Sequence, residues 1–426
     1  MIGAVVALMG GTAVSYAAAG AVLAQAPPVP TAVTQQVAAA VATRAVAEMA
    51  SAGSTTGTLA DLAKARAGQA VLLPGVDPRF GAYYVPFTSA GSTVGYVAVA
   101  TSVDQAPILK IGSGDLLAGA ESLKPAVEAR AGQASVSHEV RWLDSFTQVA
   151  DFHFADGGAL SAEVGSDRIG YFRADTSRPL PAGSAVAVAH NSWAALSAPS
   201  ASSPLAALAH AIAPTDVKAD PVAQQILAPF PNYEWYRGCA PTAGFMVEAW
   251  WSQHGRPNLM ATTDYVTANA YTGQGVMATP TPGTKGYIDA LAATMNTDGS
   301  GNTYLNMIQP GLNSYASGHG YSNTTAEAAN PGYSQLVSWI NQNHPMVGSF
   351  IQWGYYSPTG TFYNSYYNSG QRINHSVALH GFHYDDVHGQ FMILRDDATG
   401  DGDNYVAWNL APYQNWSQSQ LDAPWY

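Results

Sequence analysis

Apolar and polar positions divide the chain into a β-rich first half and a mixed second half. A run of Ala, Val and Gln predicts a helix over Thr31–Met49. Apolar, β-prone runs follow at Gln69–Leu73, Gly81–Phe87 and Val94–Thr101, with turn residues between them. The last two read as a hairpin around Ser89–Ser92, followed by a short strand at Ala106–Gly112 and a helix at Leu116–Ala129. A helix followed by a meander predicts a small α+β domain. Glu139–Asp144, Val149–Ala155, Arg168–Ala174 and Ala185–Ala189 are four more short strand-like runs, forming a second β-rich unit. Residues 194–221 are rich in Ala, Ser and Pro and read as a linker, with one short helix at Leu205–Ile212.

The period then lengthens. Phe245, Met246, Ala249 and Trp250 recur at i, i+1, i+4 and i+5, one stripe of a helix. Gly238 supplies a tight turn, Pro241 suits the first helical position, and Gly255 with Pro257 stops the run, so a helix is expected over Pro241–His254. Cys239 falls at its start. Farther on, His375–Phe382 reads as a strand with His375, Val377 and Leu379 on one face and Ser376, Ala378 and His380 on the other. Tyr384–Gln390 is turn-like, and Phe391–Arg395 returns as the paired strand that delivers Asp396 and Asp397 at its end.

Composition narrows the options. The 426 residues suggest two or three domains. Hydrophobic residues make up 47% and charged residues 11%, which excludes a disordered, highly charged chain. The net charge is −12 and no Lys/Arg run occurs, so no nucleic-acid partner is expected, since that affinity comes mainly from clustered cations. Most of the negative charge, and most of the Trp and Tyr, lies beyond residue 215.

Residues 1–43 carry no charge, and Leu23-Ala24-Gln25-Ala26 offers an Ala-x-Ala cleavage site. Residues 1–26 therefore read as a secretory signal peptide, a membrane anchor being the alternative. The expected location is secreted, periplasmic or at the cell surface. Cys239 is the single cysteine, so no intrachain disulfide can form. An odd cysteine in an exported protein is a candidate reactive thiol. At a helix N-terminus the dipole and unsatisfied N–H groups favour the thiolate and can stabilise an oxyanion. An imidazole from His375, oriented by an acid on the neighbouring strand, is the base such a thiol needs.

The order of these motifs resembles the papain-like cysteine peptidases, in particular the bacterial branch similar to the peptidases that trim double-glycine bacteriocin leaders. The matching segments are Gly238-Cys239-Ala240-Pro241-Thr242-Ala243 and His375-Ser376-Val377-Ala378-Leu379-His380-Gly381-Phe382. Leu336–Ile351 resembles the family's intervening helix and strand. The likeness covers about residues 220–410. It implies an α+β fold, a helical lobe packed on an antiparallel sheet, that hydrolyses peptide bonds through a thioester. It also implies Cys239 as nucleophile, His375 as base and then acid, and Asp396 as the orienting acid, with Asp397 as the rival one register away. The family has Gly where Ala240 stands, and an oxyanion glutamine where Tyr233 stands; Asn232 is the nearest amide and becomes the candidate donor. The hairpin at 81–101 and its continuation are similar to the inhibitory propeptides of streptopain-type peptidases.

The expected organisation is therefore a signal peptide (1–26), a propeptide-like α+β domain (27–135), a β-rich unit (136–193), a linker (194–221) and a papain-like domain (222–426). No cofactor is expected, and the partner is a peptide or protein substrate. Two other uses of the same scaffold stay open: a non-catalytic binding or adhesion module, and amide or acyl transfer. His380, His383, Asp385, Asp386 and His388 match no zinc spacing, so no metal site is assigned. Asp396–Asp403 lacks the alternating ligands and closing Glu of a calcium loop. The aromatic run Trp353–Tyr367 reads as Tyr-rich surface strands, or as the wall of a sugar- or peptide-binding groove.

Overall fold

The computed structural model describes residues 33–51, 57–75, 81–103, 105–165, 169–170, 172–176, 192–196, 223–261, 277–322, 324–351, 354–356, 362–367, 371–372, 374–385, 387–397, 402–408 and 418–425. The expected signal peptide, nearly all of the expected linker and the strand expected at Ala185–Ala189 lie outside these residues. The fold is mixed α+β with antiparallel sheets.

The elements that position the site are α1 (Gln35–Ser51), β1 (Ala82–Ser89), β2 (Ser92–Ala100), β3 (Ile108–Ser113), α2 (Cys239–Gln253), β4 (Met346–Ile351), β5 (Asn374–Asp385), β6 (Gly389–Arg395), β7 (Asn404–Ala407) and β8 (Gln418–Trp425). Among the described residues the largest sheet has twelve strands, whose central run is β1-β2-β3-β7-β6-β5-β4-β8. Arg66–Ala67 extends it beyond β1 and Thr324–Ala329 beyond β8, while Val71–Leu73 pairs with β1 and Ala223–Ile226 with β5. The hairpin expected at Ser89–Ser92 forms β1 and β2. The helix expected at Leu116–Ala129 is two helices, Leu116–Ser122 and Lys124–Ala131, because Pro125 can open a helix but cannot continue one. The β-rich unit is a separate meander of Ser135–Trp142, Gln148–Phe154, Ala159–Glu163 and Ile169–Gly170.

The two halves of the chain meet where β3 pairs with β7, Ile111 opposite Tyr405 and Lys110 opposite Val406. Side chains alternate across a strand, so β6 and β7 feed two cores at once. Phe391, Ile393, Tyr405 and Ala407 pack with the N-terminal elements, including Val41, Val97 and Phe152. Met392, Leu394 and Val406 pack with α2 and the other C-terminal helices. The first half of the chain thus shares both a sheet and a core with the second. Removal of residues 27–135 would uncover the β7 edge and one whole apolar face of the hairpin.

Helix α2 lies against β5 and β4 on one side and against the Pro282–Thr294 helix on another. Its residues from Ala240 to Ser252 are all buried, so the single apolar stripe expected from periodicity is instead a helix enclosed on all sides. Gly244 faces the flexible end of Met295, whose Cε would stand 2.9 Å from a Cβ there.

Candidate active site

The segment entering α2 is held by backbone pairing. Tyr233 bridges to Ala278, the Glu234 N–H donates to the Ala278 carbonyl (3.1 Å), and the Ala278 N–H donates to the Asn232 carbonyl (3.0 Å). Arg237 and Gly238 then turn through φ of +65° and +143°. A side chain at 238 would be strained in any case, and its Cβ would lie 2.7 Å from the Gly301 carbonyl oxygen. The Thr242 hydroxyl closes the turn. It accepts from the Tyr236 N–H (3.1 Å) and lies 2.8 and 2.7 Å from the carbonyls of Tyr236 and Gly238. The helix begins at Cys239, two residues before the expected start, so Pro241 sits in the first turn, where its missing N–H leaves no bond unmade. Cys239 is half-buried.

His375 is the second residue of β5, opposite Phe350 of β4. Its Nε2 lies 2.8 Å from the backbone carbonyl of Asp396 and 3.7 Å from Asp397 Oδ1. The Phe146 ring meets the imidazole edge-on, centroids 6.3 Å apart. The Asp396 carboxylate turns the other way, to Lys110 Nζ of β3 at 3.3 Å, in a pair that is 0% and 5% exposed. Asp396, expected to face the histidine with its carboxylate, thus meets the imidazole through its backbone carbonyl, and the Asp397 carboxylate lies beside the ring. Two things contribute: Lys110 draws the Asp396 carboxylate toward β3, and Asp397 adopts φ +53°, ending β6 in a left-handed turn that brings its side chain toward the ring. The same turn presents the Asp397 carbonyl to the Trp235 N–H at 2.8 Å. Two consecutive residues therefore clasp His375 on one side and, on the other, the segment four residues ahead of Cys239.

Burial opposes the Lys110 ammonium, but Tyr96 and Asp396 beside it more than offset this and hold its proton above the usual lysine range. Tyr96 comes that close because Gly112 has no side chain; a Cβ there would be 2.6 Å from the Tyr96 ring.

Asn232 is buried, seven residues before Cys239. Tyr233 is a core residue with its ring edge-on to Phe245 at 5.0 Å. Gln224 belongs to the Ala223–Ile226 edge strand and accepts at His383 Nδ1 (2.8 Å).

Two buried polar clusters adjoin the hairpin. A bulge between Leu379 and Gly381 shifts the register of β5 against β6, so the simple face alternation read from sequence ends at Leu379. In the first cluster Asp403 Oδ1 meets Arg395 at 3.0 Å and His380 Nε2 at 3.2 Å, with the His380 ring stacked on Phe230. Burial works against the Asp403 charge, yet Arg395 and His380 hold its carboxyl down at about 2. The second cluster joins His383, Asp385 and His388, whose ligating atoms all lie within 4.8 Å of one another. Sequence spacing did not reveal it, because a strand and its turn bring the three together without any zinc-motif spacing.

No protein-family model and no curated protein matches this chain.

Proposed function

We propose that the protein is an exported cysteine peptidase of papain-like type, acting on peptide or protein substrates, with its N-terminal layer a permanent part of the enzyme. The observation that carries this reading is the Asp396–Asp397 clasp, which ties the only histidine on this end of β5 to the chain entering the Cys239 helix. With Nε2–H donating to the Asp396 carbonyl, Nδ1 is the basic atom of the ring. Cys239 Sγ attacks the peptide carbonyl carbon while its proton passes to His375 Nδ1. The C–N bond then breaks, and the imidazolium gives that proton to the departing amine. Water attacks the thioester, again losing a proton to His375, and the carboxylic acid and thiol are released. The tetrahedral oxyanions face the unsatisfied N–H groups of the first turn of α2, with Asn232 as the candidate side-chain donor. The carboxylate of Asp397 stabilises the imidazolium, and Asp396 acts through its carbonyl.

The test is turnover of a fluorescent casein by the purified full chain, together with the rate of Cys239 alkylation by iodoacetamide. Cys239→Ser is expected to abolish turnover, and His375→Ala to slow both turnover and alkylation at neutral pH. Alkylation no faster than that of an unfolded cysteine peptide would overturn the reading. One observation favours a second use of the scaffold. Tyr233 replaces the glutamine donor, and losing one such donor costs on the order of 10²–10³ in rate. Peptide binding without turnover by a chain that still alkylates rapidly identifies that non-catalytic module.

A further inference from the structure

The cluster formed by His383, Asp385 and His388 lies apart from the proposed triad, at the far end of β5, and all three residues are buried. Asp385 Oδ2 is 2.7 Å from His383 Nε2 and 2.8 Å from His388 Nδ1. Asp385 Oδ1 is occupied by the backbone N–H groups of Val387 (2.9 Å) and His388 (2.6 Å), which fix the carboxylate plane. The outer nitrogens of both rings also face acceptors. His383 Nδ1 meets Gln224 Oε1 at 2.8 Å, and His388 Nε2 meets Glu48 Oε2 at 3.2 Å. Glu48 belongs to α1 and is held in turn by Arg44 at 2.6 Å.

Each ring therefore has an oxygen acceptor at both nitrogens. Only a doubly protonated ring, or a ring that ligates a cation through one nitrogen, satisfies that pattern. Two protons between the rings and Asp385 can be exchanged for one divalent cation with no change of charge. The outer contacts are those that metal-bound imidazoles make, each donating its remaining N–H to an amide or carboxylate oxygen.

We propose that His383 Nε2, Asp385 Oδ2 and His388 Nδ1 form a zinc(II) site with a water molecule in the fourth position, and that Gln224 and Glu48 orient the two imidazoles. Two imidazoles and one carboxylate suit zinc among the common divalent ions, and calcium and magnesium poorly. A tetrahedral site with bonds of about 2.1 Å needs donor atoms roughly 3.4 Å apart, so His383 Nε2 would move out from Asp385 Oδ2 by about 0.7 Å and His388 Nδ1 by about 0.6 Å. The ion would sit in the β5–β6 turn and, through Glu48, hold α1 of the N-terminal layer against it.

The experiment uses the full, untagged chain carrying Cys239→Ser, which removes the only thiol that could compete for metal. After dialysis against zinc and then buffer, elemental analysis is expected to give one zinc per chain, and the melting temperature is expected to rise by several degrees. Cobalt(II) in place of zinc should give the intense visible bands of a tetrahedral N/O site, a readout that needs no further substitution. His388→Gln should remove the stoichiometric metal. Glu48→Gln, which touches no ligand atom, should weaken zinc binding by about 10–100-fold. Because the proposed function is tested separately through the thiol, either reading can fail alone. Substoichiometric zinc with no thermal shift, or full zinc retention in His388→Gln, would overturn the site and leave a hydrogen-bonded His-Asp-His relay.

Discussion

Replacing Lys110 by methionine takes a cation away from a carboxylate that is almost wholly buried. Lys110 Nζ and Asp396 Oδ2 are 3.3 Å apart, and the two side chains are 0% and 5% exposed. The aliphatic stem of lysine is well matched by methionine, so little packing is lost. What changes is that Asp396 stays buried without the ammonium beside it. Breaking a buried pair from one side typically costs about 3–5 kcal/mol, a large share of the roughly 5–15 kcal/mol that holds a domain together. Lys110→Met is therefore expected to lower the urea midpoint sharply, with the slope unchanged. Adding Asp396→Asn to Lys110→Met removes the buried negative charge, and about half of the loss or more should return. The His375 contact uses the Asp396 carbonyl, which the double variant keeps, so Cys239 alkylation in its folded state should stay within a few-fold of the parent. The reasoning fails if Lys110→Met costs under about 1 kcal/mol, or if the double variant is no more stable than the single one.

Three further outcomes follow from the same structure. Gly238→Ala combines a left-handed φ with a Cβ 2.7 Å from the Gly301 carbonyl, and should cost about 2–4 kcal/mol by urea titration while slowing alkylation of Cys239. Asp397→Asn should lower kcat/KM at least tenfold with a smaller change in KM, whereas Asp396→Asn should do less once its effect on stability is allowed for; equal losses would contradict the assignment. Burial, aided by Glu327 and opposed by Gln420, raises the Asp422 carboxyl from 3.8 to about 7. The folded state then holds a proton that the unfolded chain releases, so stability present below about pH 4 is lost as pH rises through 7, by about 4 kcal/mol in all. Asp422→Asn should flatten urea midpoints measured between pH 5 and pH 8, and parallel profiles for the two proteins would refute the sign.

Local rules made part of this structure readable in the sequence. Gly238, Pro241 and the Phe245–Trp250 stripe locate the Cys239 helix, because turn and helix-start preferences act within a few residues. The same holds for the hairpin at Ser89–Ser92 and for the β5–β6 return. What could not be read depends on distant partners. Choosing between Asp396 and Asp397 requires Lys110, which lies 286 positions earlier and draws one carboxylate away. The His383 cluster requires the bulge near His380 and a glutamate from α1. Dividing the chain at its composition shift hides the β3–β7 pairing, since a strand's partner is not encoded in its own alternation.

That pairing has a consequence for how the chain is made. Lys110 and Ile111 emerge from the ribosome long before Tyr405 and Val406, so the N-terminal strands spend most of synthesis with an open flank. Contacts this far apart in sequence close slowly and favour maturation after release of the whole polypeptide. A nascent chain truncated before residue 404 should remain susceptible to proteases and in need of a holding chaperone.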